Sequence, residues 1–265
     1  MIDDLVSIIT PVYNSSEFIK QTIESVQKQT YTSWEMIIVD DCSTDETPDI
    51  IKEILQRDDR IRYIKLEKNS GAAVARNRAL GQSKGRFIAY LDADDLWEKH
   101  KLQNQMKYML VYNYAFTCSD YKKIDINGRL LRGVKMPSVV NYERYLRNTI
   151  IQTVGVMIDT KKVDKELLIM PNIRRRQDAA TWCQLLKAGF ICYRIPEFLA
   201  YYRSVPSSLS SNKIKAVKGT WYLYRRIEKL SIPKACFCFL GYIINAARKR
   251  IYIKTRDNIM CEVVK

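Results

Sequence analysis

Histidine is nearly missing from this chain: His100 is the single one among 265 residues. That argues against a zinc centre built from imidazoles. Cysteine pairing is missing too. The seven cysteines (Cys42, Cys118, Cys183, Cys192, Cys236, Cys238 and Cys261) form no C-x-x-C pair and no even set. Such a pattern suits reduced thiols packed as small core residues. Glycine is sparse at 9 residues, and none lies in Thr10-Pro11-Val12-Tyr13-Asn14, where a glycine-rich phosphate cradle would follow a first strand. No uninterrupted apolar run reaches the length that crosses a bilayer. The start, Met1-Ile2-Asp3-Asp4-Leu5, carries acids where a secretory leader carries bases. The expectation is a cytoplasmic chain without internal repeats, long enough to bury a full core.

Acidic residues are what the second half lacks. Residues 1–110 hold 15 Lys/Arg against 18 Asp/Glu, whereas residues 111–265 hold 29 against 11, so the whole formal charge of +15 originates after residue 110. A field of that sign recruits an anionic partner: nucleic acid, an acidic membrane surface or a pyrophosphate-linked substrate.

What is present is a rhythm. Val6-Ser7-Ile8-Ile9 reads as a buried strand ended by Pro11 and Asn14, and Phe18, Ile19, Ile23 and Val26 recur at helical spacing. A second strand, Met36 to Val39, runs into Asp40-Asp41. Ser43-x-x-Glu46 then reads as a capping box opening a helix with Ile50, Ile51, Ile54 and Leu55 on one face. Arg62 to Leu66 is a third strand, Gly71 leads into a helix from Ala72 to Ser83 closed by Gly85, and Phe87 to Leu91 is a fourth strand. Four alternations predict a parallel sheet covered on both faces, with ligands outside the carboxyl ends of its strands. After residue 110 the strands shorten, as in Ala115 to Cys118 and Val154 to Ile158, with a hairpin turn at Asn127-Gly128. From Lys213 a helical pattern resumes, and a second stretch follows from Ala235 to Ala247.

The most informative stretch is Leu91-Asp92-Ala93-Asp94-Asp95, directly after the fourth apolar run. Carboxylates so crowded repel one another, and a divalent cation among them relieves this. A hard ion held by one or two protein carboxylates completes its shell with water and substrate phosphates. The competing reading is a strand end whose aspartates solvate a turn, with Asp95 capping a helix that begins near Trp97.

Four segments in this order resemble glycosyltransferase family 2, the large inverting family of nucleotide-sugar-dependent enzymes with the GT-A fold. They are Ser7 to Asn14, Ile38-Val39-Asp40-Asp41-Cys42-Ser43-x-Asp45, Asn69-x-Gly71 with Ala75-Arg76-Asn77, and Leu91 to Asp95. The resemblance covers at least residues 4–110 and continues more thinly to about residue 205. It implies an α/β fold with a Rossmann-like parallel half, a smaller mixed half and a C-terminal helical region. On that basis residues 1–210 form the catalytic domain, with 1–110 as its nucleotide-binding half and 111–210 as its acceptor-side half, and 211–265 form a basic helical region.

The resemblance also implies roles. Pro11, Tyr13 and Asp41 surround the base of the donor, and Arg76 lies near its nucleotide. Stacking on a ring, acceptance by a carboxylate and positive charge beside phosphate at a helix start fit those tasks. Packing for Tyr13, a turn for Asp41 and a surface helix charge for Arg76 are the plainer alternatives. Asp92 and Asp94 would contact ribose and hold Mn²⁺ or Mg²⁺ against the diphosphate, with Asp95 third. The family's base is an aspartate in a Glu-Asp pair at a helix start. Here Gln177-Asp178 occupies that context, so Asp178 is the sole candidate, and an ordinary N-cap is its plainer reading. Arg174-Arg175-Arg176 before it are available for phosphates. A single base implies inversion, since retention needs a second carboxylate across the sugar. Tyr202-Arg203 and the loop Ser207 to Lys213 are candidates to close over a substrate.

Lys213 to Arg256 holds twelve basic residues against Glu228, around the apolar run Ala235 to Ile244. That run is too short to span a bilayer but suits an interfacial helix on anionic headgroups; a core helix with a basic outer face is the alternative. The expectation is transfer of a hexose or amino sugar from a nucleotide-diphospho-sugar, UDP-sugars foremost, to a lipid-linked glycan in surface polysaccharide synthesis, with peripheral contact on the inner membrane face. Two other classes compete: a sugar-nucleotide-forming nucleotidyltransferase and a basic nucleic-acid-binding module, although no nucleic-acid motif appears.

Overall fold

Residues that are apolar at nearly every position make strands buried on both faces, and the first half of the chain is built on them. The computed structural model describes residues 4–205 and 213–246. In chain order the first elements are β1 (Val6–Val12), α1 (Ile19–Gln27), β2 (Trp34–Asp40), α2 (Thr47–Leu55), β3 (Ile61–Lys65), α3 (Ala72–Gly81) and β4 (Phe87–Tyr90). β5 (Leu96–Trp97), α4 (Lys101–Val111), β6 (Phe116–Ile124), β7 (Leu130–Val134), β8 (Val139–Val140), α5 (Tyr142–Arg147) and β9 (Val156–Asp159) follow. Then come α6 (Gln177–Lys187), β10 (Cys192–Arg203), α7 (Lys213–Tyr222) and α8 (232–246).

The strands form one sheet in the order β3-β2-β1-β4-β9-β6-β10-β5, with β7 added to β6 and β8 to β10. β1 to β4 are mutually parallel. β9 runs antiparallel between β4 and β6 and so welds the parallel half to the mixed half. All seven residues of β1 and of β2 are buried. α1 buries Ile19, Thr22, Ile23 and Val26, the stripe its spacing predicts.

Several local expectations are corrected. The capping box at Ser43 and Glu46 does not form: α2 starts at Thr47 with Pro48 in its first turn and no side-chain cap. Ser43 is instead drawn to Asp40, whose Oδ1 accepts from its backbone N–H (2.8 Å) and hydroxyl (2.6 Å). Gly85 does not close a helix, since α3 ends at Gly81. It is required because a Cβ there would lie 2.6 Å from both the Leu5 carbonyl and the Ser7 nitrogen. No helix begins at Trp97; Leu96–Trp97 pairs antiparallel with Ala200 and Tyr201 of β10, and α4 starts at Lys101. The hairpin turn does form, with Gly128 at φ 80° between β6 and β7. The serine-rich loop, apart from its last residue Lys213, and the basic cluster from Arg248 onward lie outside the described residues.

Candidate functional site

Parallel strands deliver their following loops to one edge, and β1, β2 and β4 bring Tyr13, Asp41 and Asp92 to it. Tyr13 follows β1 with its side chain 48% exposed, leaving a ring face free for stacking. Pro11 is buried in β1 at the register position of Val39, two residues beyond the last β1–β4 pair at Ile9 and Tyr90. Backbone direction alternates along a strand and Val12 accepts from Asp41 N–H on the β2 side, so the nitrogen of Pro11 faces the side where β4 has left the sheet.

Asp41 is buried, and both of its oxygens hold the approach to α3. Oδ1 accepts from Ser70 N–H (2.6 Å) and Oδ2 from Gly71 N–H (2.8 Å), while its carbonyl accepts from the Asn69 amide (3.2 Å). Gly71 has φ +94°, a conformation that favours glycine. Asp41 thereby fixes where α3, and with it Arg76, begins. The loop after β1 is tied to the loop after β2 in the same way: Asn14, at φ 45°, accepts from Thr44 N–H through its side chain (2.9 Å) and donates from its backbone to Ser43 Oγ (2.9 Å).

Arg76 is not a surface helix charge. It is 6% exposed, and Nη2 donates to Asp92 Oδ1 at 2.5 Å. Burial opposes its charge, but Asp92 first and Asp178 next outweigh burial and hold the guanidinium protonated. Asp92, from the end of β4, and Asp178, from the first turn of α6, therefore act on one cation. Among the described residues Arg76 Nε and Nη1, the Tyr90 hydroxyl and the Trp182 indole nitrogen are buried and have no hydrogen-bond partner, and the Tyr90 and Trp182 rings meet edge-on at 5.5 Å. Unspent donors around a buried cation are what an arriving anion would use.

Asp178 is not the cap of α6. Arg176 holds that position in the left-handed region (φ 64°), and Asp178 follows inside the first turn. Its Oδ1 accepts from Ala179 N–H (2.8 Å) and its Oδ2 from the Thr153 hydroxyl (3.2 Å), a contact that nothing in the local sequence pattern signals.

The carboxylates after β4 carry the strain expected of a crowded cluster. Burial, then the charge of Asp92, pushes Asp94 up to about 6; burial, then Asp94 and Asp92, raises Asp95 well above its ordinary range. Asp95 caps no helix; its Oδ1 accepts from Arg203 N–H at 2.8 Å. Among the described residues no three His, Cys, Asp or Glu side chains converge as a preformed metal cage. Asp92 and Asp94, both only partly buried, are the donor pair nearer solvent. Two like-charged carboxylates, one of them bonded to Arg76, fit a hard divalent ion that finds its other ligands in phosphate and water.

Arg203 was expected at a closing loop, yet it is 2% exposed and fully engaged. Nε donates to the Asp94 carbonyl (2.8 Å), Nη1 to the Ile126 carbonyl (2.9 Å) and Nη2 to Gln21 Oε1 (2.9 Å). It is a brace under the aspartate loop.

The chain is similar to known proteins. Residues 7–167 match the family model described as Glycosyl transferase family 2. A Bacillus subtilis (strain 168) protein provisionally assigned as the teichuronic acid biosynthesis glycosyltransferase TuaG is 48% identical over 248 residues, covering 93% of this chain and 98% of its own. WfgD of Escherichia coli, named UDP-Glc:alpha-D-GlcNAc-diphosphoundecaprenol beta-1,3-glucosyltransferase, is 34% identical and covers 95% and 97% of the two chains. Among solved structures, S. aureus TarS 1-349 in complex with UDP-GlcNAc aligns with a TM-score of 0.69 at 19% identity, covering 90% of this chain and 71% of that one. The mannosyltransferase PcManGT from Pyrobaculum calidifontis in complex with GDP-Man and Mn2+ gives 0.69 at 18%, covering 91% and 69%. The fold is the GT-A arrangement, a parallel half joined to a mixed half.

Proposed function

The chain belongs to glycosyltransferase family 2, and from that membership we propose that it moves a hexose or amino sugar from a UDP-sugar to a hydroxyl of a lipid-linked glycan, inverting the anomeric centre, in surface polysaccharide assembly. As a family 2 glycosyltransferase it is not a sugar-nucleotide-forming nucleotidyltransferase. The observation that carries the reading is the buried Arg76 bonded to Asp92 at 2.5 Å, with the charge of Asp178 acting on the same guanidinium. It sets a carboxylate for the donor side and a carboxylate for the acceptor side around one guanidinium. The donor and acceptor classes are supported by WfgD, whose name specifies UDP-Glc and a diphosphoundecaprenol-linked sugar.

In this reading residues 1–210 are the catalytic unit and 211–265 a basic appendage. Tyr13 stacks on the base beside Pro11, and Asp41 meets the base or ribose through the lone pairs its loop contacts leave. Arg76 orients Asp92 and offers Nε and Nη1 to the donor's phosphates. Asp94 and Asp92 would hold Mn²⁺ or Mg²⁺, with Asp95 set behind them. When bound, that ion supplies Lewis-acid neutralisation of the departing nucleoside diphosphate. Asp178 takes the proton of the acceptor hydroxyl, positioned by Thr153; one base on one face yields inversion.

The partner surface belongs to the same reading. Among the described residues no helix is long and apolar enough to cross a membrane. α8 nevertheless exposes Ile232, Phe237, Leu240, Ile243 and Ile244 along one side while burying Ala235 and Cys238 on the other. A helix apolar on both sides has one side packed and one unpartnered, which suits peripheral attachment to an anionic inner membrane face.

The test is a pair of variants read by two assays. Asp178→Asn is expected to keep UDP-sugar binding, seen as Mn²⁺-dependent thermal stabilisation, while transfer falls at least about a hundredfold. Asp94→Ala is expected to lose the metal-dependent stabilisation itself. Normal turnover by Asp178→Asn would remove the base assignment.

A further inference from the structure

The acceptor side carries a second basic feature that the donor reading leaves unused. Residues 172–175 and α7 face each other across a cleft of about 530 Å³ lined by Arg174, Arg175 and Lys218, with Asn172 and Tyr222, and by no acidic side chain. Some cations of this half are neutralised: Arg194 by Asp120 at 2.6 Å, Lys234 by Glu143 at 2.8 Å, Lys187 by Glu228 at 3.5 Å. Among the described residues Arg174 and Lys218 have no such partner. Arg174 and Lys218, like charges on one concave surface, repel, and an anion relieves that repulsion.

The cleft is held in place relative to the base. Arg176 Nη2 donates to the Tyr242 hydroxyl of α8 (3.1 Å) and to the Ala216 carbonyl of α7 (3.4 Å). Gly219 lets α7 sit close, since a Cβ there would come within 3.3 Å of Arg176 Cγ. Arg174 thus stands four residues before Asp178 on the chain, on a loop pinned to both C-terminal helices. On α7 beside Lys218 and Tyr222, Val217 and Trp221 are also exposed, and Trp221 meets Phe239 of α8 edge-on at 5.4 Å. The charged cleft therefore opens onto an apolar flank.

We propose that this cleft binds the diphosphate of the acceptor, a sugar joined through a diphosphate to a lipid, and so presents the acceptor sugar to Asp178. The inference rests on the transferase reading above and adds the place where the acceptor is recognised. Guanidinium forks and an ammonium match the many oxygens of a diphosphate better than they match a neutral glycan. The acceptor's diphosphate is the one that fits, because the base must work on the face opposite the donor's leaving group, and the cleft lies on the base's own loop. The exposed flank of α7 and α8 takes the first part of the lipid.

Geranyl diphosphate in EDTA is the probe, which keeps any metal-assisted donor site out of play; UDP with Mn²⁺ is the comparison ligand. The wild-type chain is expected to bind geranyl diphosphate without metal, and Arg174→Gln/Lys218→Gln to weaken that binding about tenfold or more while UDP with Mn²⁺ binds as before. In transfer assays the same double variant is expected to lose the preference for a diphospho-linked acceptor over a neutral alkyl glycoside of the same sugar. Both side chains are exposed, so an unchanged melting temperature is expected and checks the fold. Equal geranyl diphosphate binding by the double variant, or binding that requires Mn²⁺ and is displaced by UDP, overturns the proposal. Failure of the wild type to bind any nucleotide sugar would instead strike the donor reading, which the EDTA measurement does not touch.

Discussion

Arg203 and Arg76 divide the support of the aspartate loop between them, one fully satisfied and one with two nitrogens in reserve. The contrast predicts different losses. Arg203→Met takes the donors from the part-buried carbonyls of Asp94 and Ile126 and leaves the buried Arg203 site unfilled, and is expected to destabilise the fold by about 2 kcal/mol in denaturant titrations. It is also expected to raise the donor KM as the loop carrying Asp94 loosens. Unaltered stability would mean that the brace is dispensable. The positions of Arg76, Asp92 and Asp178, in a helix after a glycine, after a strand end and in the first turn of a helix, follow from the local sequence pattern. The bracing role of Arg203 was not legible, because its partners lie 109 and 77 residues away and two of them are backbone carbonyls, which no residue pattern encodes. Thr153 escaped for the same reason: its bond to Asp178 exists only after β9 and α6 have packed.

Elements were legible where burial is two-sided. β1, β2 and β4 are buried along their whole length and mostly apolar, and α1 shows its stripe because one side is packed. Short elements were not: β5 has two residues and owes its existence to Ala200 and Tyr201 across from it. The two signals misread locally, Ser43 as a cap and Gly85 as a helix stop, were captured by tertiary demands, the first by Asp40 and the second by β1. Gly85→Ala tests the second case. Its Cβ would strike main-chain atoms of Leu5 and Ser7 rather than a side-chain end that can swing away, so the first strand must shift. The substitution is expected to cost about 1–3 kcal/mol, read as a lower melting temperature. If Gly85 merely stopped a helix, alanine would change little, because α3 has already ended four residues earlier.

At the scale of the whole molecule the charge is segregated: the first 110 residues are slightly acidic and the excess lies after residue 110. The packed face of α8 and the unpartnered one alternate around the same helix, with Arg147 lying against Gly241 and its guanidinium 5.9 Å from the Phe237 ring. A core helix would have no reason to keep Phe237, Leu240, Ile243 and Ile244 in water, and a purely solvated one would not carry them. On the proposed reading, contact with an anionic bilayer would use both the apolar side and the basic surroundings, at about 1 kcal/mol per lysine or arginine brought near the surface. The full chain is therefore expected to sediment with vesicles containing phosphatidylglycerol, to ignore pure phosphatidylcholine, and to release as ionic strength rises. Phe237→Glu/Leu240→Glu adds repulsion and removes the apolar contact together, and is expected to abolish sedimentation while leaving Mn²⁺-dependent UDP-sugar stabilisation intact, since α8 is remote in sequence from Asp92 and Asp94. Undiminished vesicle binding by that variant would show that another surface, and not this side of α8, meets the membrane.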